Sequence, residues 1–184
     1  MDKHRLEDFM NGFAAAVQLL NRAGQNGFIV EYVCLATSVI DAILRVGMIL
    51  KHQINNQTDE ILDELLCMEE GDKPISERAI YRISLDQGVI DNELFNLLNS
   101  LYNQRNKVIH RYIISRITTR NILDIGIQYE SIIPIISKEI SKLEEKQIEL
   151  GVGMCVPGSE VTRSLIDEMI AKKHDDDNLS KGLR

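Results

Sequence analysis

Residues 28–50 read FIVEYVCLATSVIDAILRVGMIL, the longest apolar stretch of the 184-residue chain. At helical spacing Ile29, Val33, Ala36, Ile40, Ile43 and Ile49 fall on one side, and Tyr32, Leu35, Val39 and Val46 on another. A helix that is apolar around most of its circumference has to be surrounded by other elements. Glu31, Asp41 and Arg45 interrupt the run. Charges at that frequency argue for a buried helix of a folded domain over a membrane span. Asp41 and Arg45 stand at i, i+4 and form an ordinary helical ion pair; pairing of Glu31 or Asp41 with Arg105 is the alternative. The reading is a helix over 28 to about 53, at the centre of an all-α domain.

The flanking sequence supplies the surrounding helices. Leu6, Phe9, Phe13, Val17 and Leu20 recur every three or four residues and mark a helix over 3–23, ended by Gly24 and Gly27. After the polar stretch HQINNQTDE, Thr58 is placed to cap a short helix reaching Met68, and Ser76 to cap another over 77–86. Asp91 caps a helix carrying Leu94, Leu97, Leu98, Leu101 and Tyr102 that runs to about Ile117. A last long helix spans about 121–150, with Pro134 a possible bend. Residues 1–150 thus read as a four- to five-helix bundle with a helical insertion over about 54–90. Residues 151–184 read as a C-terminal extension. It holds a Gly/Pro loop, a short amphipathic helix over 159–172 (Val161, Leu165, Ile166, Met169 and Ile170) and a polar, disordered tail.

Composition agrees with this picture. Hydrophobic residues make up 44% and charged residues 27%, aromatics are only 5%, and three prolines interrupt the chain. Cys34, Cys67 and Cys155 share no close spacing, so no zinc site is expected, and scattered thiols fit a reducing compartment. The N-terminus MDKHRLEDFM has no apolar core of a signal peptide. The expectation is a cytoplasmic protein with no metal, no cofactor and no membrane partner. Net charge is −7, which by itself disfavours a polyanionic ligand. Its distribution is uneven, however. No acid occurs between Glu93 and Asp124, and this window carries +5 from Arg105, Lys107, Arg111, Arg116 and Arg120, leaving −12 on the remainder. Local fields steer a polyanion more than net charge does.

Within that window lies LYNQRNKVIHRY, residues 101–112, which gathers Arg105, Asn106, His110 and Tyr112. These side-chain types can cleave a phosphodiester without a metal. A histidine serves as general base or acid near neutral pH. An arginine holds non-bridging oxygens and stabilises the charge that grows on phosphorus. A tyrosine hydrogen-bonds to a base or stacks on it; packing of Tyr112 in the core is equally open. On a straight helix, residues five apart point about 140° away from each other. Arg105 and His110 therefore converge only if the helix is distorted or if two copies pool their side chains across a symmetric interface. We adopt the second.

The segment resembles the HEPN superfamily, whose hallmark is an arginine, a following polar residue and a histidine within a helical bundle. Arg105-Asn106-Lys-Val-Ile-His110 has that form. With Tyr112 it is similar to the Arg-x4-His-x-Tyr motif of HEPN toxins paired with minimal nucleotidyltransferase antitoxins. The resemblance implies a symmetric homodimer, and cleavage of RNA by its own 2′-hydroxyl with no metal. It implies catalytic roles for Arg105, His110 and Asn106, and modification of Tyr112 by a nucleotidyltransferase antitoxin. Lys107, Arg111, Tyr112 and Arg116 are the expected RNA-binding residues. The functional expectation is a metal-independent endoribonuclease acting as a bacterial toxin or antiviral-defence effector. The alternative is a non-catalytic HEPN-like module that dimerises or binds nucleotides.

Overall fold

The computed structural model describes residues 3–66, 73–155, 157–158 and 162–174. Among these there are six α-helices, one 3-10 turn and no strand: α1 (Lys3–Asn26), α2 (Ile29–Asn56), the 3-10 turn Asp63–Leu65, α3 (Glu77–Asp86), α4 (Asn92–Arg111), α5 (Thr119–Leu150) and α6 (Arg163–His174). The protein is all-α, as its periodicity predicts.

The apolar stretch is the hub. α2 packs against α1, α3, α4 and, most extensively, α5. Val33, Ala36, Ile40, Leu44, Ile49 and Leu50 are fully buried, joined by Ile80, Leu98, Leu101, Ile132 and Ile136 from the helices around it. α2 is long and apolar enough to cross a membrane by length and composition, yet 67% of its most apolar window is buried inside the protein. Arg45 bonds to Asp41 at 2.5 Å and donates to the Leu65 carbonyl. The i, i+4 pair thus forms as expected, and the extra backbone acceptor offsets part of the cost of desolvating the buried Arg45.

Gly47 sets how closely α2 can be approached. A Cβ there would stand 2.6 Å from Val89 Cγ1 and collide with Ile140 Cδ1. Gly47→Ala gains helix propensity but overpacks this contact, so we expect a net loss of about 1–2 kcal/mol. Urea unfolding checks it; an unchanged midpoint would mean that α5 and the Val89 turn sit farther from α2 than described.

Several boundaries differ from expectation. α1 runs through Gly24, whose missing side chain admits the Tyr32 ring, and ends at Gly27 in the left-handed region, φ 70°. The helix expected after Thr58 does not form over its described part. Thr58 instead accepts from the Glu60 amide, and the buried Gln53 donates to the Glu60 carbonyl, which holds that chain open up to the short 3-10 turn. The remainder of that expected helix, at Cys67 and Met68, lies outside the described residues. α4 stops at Arg111, not Ile117. Residues 113–119, IISRITT, are mostly β-branched and poor helix formers. Thr118 and Asn121 then form a reciprocal capping box that starts α5 afresh. α5 continues through Pro134 to Gly151.

Beyond α5, the chain is tied back. Gln147 donates to Gln53 at 2.6 Å, the Gln53 oxygen also accepts from the Met154 amide, and Gly153 donates to Asp59. α6 finds its surface on α1, with Lys172 on Glu7 at 2.9 Å, although none of its side chains is buried. Val161 and the tail after His174 lie outside the described residues.

Candidate functional site

α4 is a regular helix from Asp91, whose carboxylate caps Leu94, to Arg111. No distortion lies between Arg105 and His110. The two side chains therefore leave α4 in different directions, as helical geometry requires, and a single chain does not bring them together.

Arg105 turns inward. Its Nη2 bonds to the Glu77 carboxylate in the first turn of α3, and its guanidinium lies 5.1 Å from the centre of the Tyr102 ring. Arg78 of α3 approaches the same ring at 5.7 Å. Glu77 also accepts from the hydroxyl of the fully buried Tyr81. The fully buried Tyr129 of α5 completes the surroundings. Burial first, and the Glu77 carboxylate second, push both phenols well above their ordinary range, while Arg105 opposes the shift. The Arg105 and Glu77 side chains are only 14% and 18% exposed. Ser76 positions this acid: its hydroxyl accepts from the Ala79 amide and starts α3 there.

His110 turns outward. It is exposed and, with Arg111 and Tyr112, lines a groove of about 540 Å³ whose walls are Val30, Cys34, Val108, Ile109, Ile113 and Ile114. Tyr112 is 45% exposed at the end of α4, which overturns a core role for it. Cys34 is half-buried at the groove, and burial raises its thiol above the usual value against an opposing pull from Arg105.

The other expected residues divide between these places. Lys107 and Arg116 are exposed, and Asn106 is half-buried, but none of the three lines the groove. Arg120 pairs with Asp124 at 3.2 Å. The structure thus joins His110, Arg111 and Tyr112 and separates them from Arg105. Sequence reasoning missed Glu77, Tyr81 and Tyr129. Glu77 stands 28 residues before Arg105 on another helix, and no spacing rule connects them. Among the described residues, no group of three or more His, Cys, Asp or Glu side chains is placed to hold a metal ion.

Four apolar side chains that line the groove are exposed: Val30 and Ile109, with Ile113 at 95% and Ile114 at 83% exposure. Comparison of the chain with protein-family models, with curated proteins and with solved structures gives no match.

Proposed function

We propose that this chain is a metal-independent endoribonuclease of the HEPN type, working in the cytoplasm as a symmetric homodimer and serving as a toxin or defence effector. The observation that carries the reading is the grouping of an exposed His110 with Arg111 and Tyr112 at one groove in the cationic window, beside two isoleucines left in solvent. A second copy seated on Ile113 and Ile114 covers that apolar surface and brings two motif helices into one cleft. His110 takes the proton from the ribose 2′-hydroxyl. Arg105 and Asn106 hold the phosphate, Lys107, Arg111 and Arg116 track the backbone, and Tyr112 stacks on a base. Tyr112 is also open to modification by a nucleotidyltransferase antitoxin.

The test is cleavage of labelled single-stranded RNA in EDTA. We expect cleavage to persist, and products to end in 2′,3′-cyclic phosphate or 3′-phosphate with a free 5′-hydroxyl, because the attacking oxygen belongs to the RNA. An all-deoxy strand should stay intact. Loss in chelator with recovery in magnesium would overturn the mechanism.

The Arg105–Glu77 ion pair favours a second reading. An arginine neutralised by a carboxylate can serve packing alone, and the chain would then be a non-catalytic helical module that dimerises or binds nucleotides. RNA binding without cleavage would select it.

A further inference from the structure

We infer that Glu77 is a gate on Arg105: a resident carboxylate that occupies the guanidinium until a phosphate displaces it. The inference rests on reading Arg105 as the phosphate-binding residue of the proposed nuclease.

The geometry of the pair carries the argument. Glu77 engages Arg105 through Nη2, and Tyr102 stacks on the guanidinium. Nε lies on the same edge of the guanidinium as Nη2. Among the described residues it has no hydrogen-bond partner although it is buried. A carboxylate or phosphate that used this edge fully would bond to both nitrogens in parallel. The resident pair is therefore one-point on an edge built for two, and it leaves a buried donor unsatisfied, which is costly. A phosphate has a geometric advantage over Glu77 at this edge.

Glu77 is also held in a way that permits exchange. It sits in the first turn of α3, retains some solvent contact, and has one other bond, from Tyr81. Arg105 and the hydroxyl of Tyr81 both donate to the Glu77 carboxylate, and both can donate to an anion that replaces it. With Glu77 in place, Arg105 offers little net charge to RNA, and the groove at His110 presents Arg111 as its lining cation. The gate thus accounts for a motif arginine that is folded inward while its histidine faces out.

The experiment reads Arg105 directly. Wild type, Glu77→Gln and Tyr81→Phe are treated with phenylglyoxal, and each arginine is followed by peptide mass spectrometry. In the wild type Arg105 should react far more slowly than Arg111 or Arg116. In Glu77→Gln it should react about tenfold faster or more, because one charge-assisted bond is lost. Tyr81→Phe, which removes only the hydroxyl that steadies Glu77, should fall between. Arg45, bonded to Asp41 and to a backbone carbonyl, reports on folding. If Arg45 also reacts in Glu77→Gln, that variant has unfolded and Tyr81→Phe decides the matter. Equal Arg105 reactivity in folded wild type and folded variants overturns the gate.

RNA cleavage by the same proteins separates the gate from the reading beneath it. A gate predicts a KM for RNA about tenfold lower in Glu77→Gln, matching the rise in accessible Arg105. A cleaving wild type whose KM rises in Glu77→Gln would make Glu77 a positioning residue and not a gate. A wild type that never cuts RNA ends the nuclease reading, while the phenylglyoxal result still decides whether Glu77 covers an anion site.

Discussion

His110→Ala should reduce RNA cleavage by about 10² to 10⁴-fold, the usual weight of positioned proton transfer. Its circular-dichroism spectrum should stay that of the wild type, because His110 is exposed at the last turn of α4. Arg105→Ala should lose cleavage to a similar degree through the missing charge at phosphorus, but its structural consequence differs. Removing one partner of a buried ion pair leaves the other charge uncompensated; discounted for the solvent that both side chains keep, this costs roughly 2–3 kcal/mol. Arg105→Lys separates the two effects. It restores a cation for Glu77 but not the planar two-point fork, so we expect recovered stability with cleavage still low. A folded His110→Ala that cuts RNA at the wild-type rate would remove the nuclease reading in favour of the binding module.

The second large effect concerns assembly. Ile113 and Ile114 stand 95% and 83% exposed beside His110. Burying two isoleucines contributes about 3–6 kcal/mol per protomer. Replacing both with glutamate removes that term and places like charges against each other across a two-fold axis. The dimer dissociation constant should therefore rise by more than two orders of magnitude. Light scattering should find a dimer for the wild type and a monomer for the double variant, and the monomer should lose cleavage, since one straight α4 cannot aim Arg105 and His110 at the same phosphate. A wild type that stays monomeric at high concentration, or a monomeric variant that cuts RNA normally, would refute the shared cleft.

The all-helical fold was legible because α2 announces itself. A long stretch apolar on nearly every side needs apolar surroundings, its charges at Glu31, Asp41 and Arg45 favour a protein core over a lipid one, and the stripe of α1 supplies one wall. The caps at Ser76 and Asp91 were equally readable, since N-capping depends on a side chain and the amides just after it. The Asp41–Arg45 bond follows from one turn of helix. Local rules failed where a distant group competed. The open chain after Thr58 is held by Gln53; the early end of α4, by contrast, follows from signals that are themselves local, the β-branched run at 113–119 and the capping box at Thr118. The candidate site divides in the same way. That Arg105 and His110 diverge is a property of 3.6 residues per turn, and sequence alone suffices for it. Which way each one faces depends on what α3 and α5 bring alongside α4. Packing places the carboxylate of Glu77, steadied by the phenol of Tyr81, against one guanidinium, and leaves the other end of α4 open to solvent. A buried charge must find an opposite charge wherever the chain can deliver one, and the delivery of Glu77 across 28 residues is decided by tertiary structure alone.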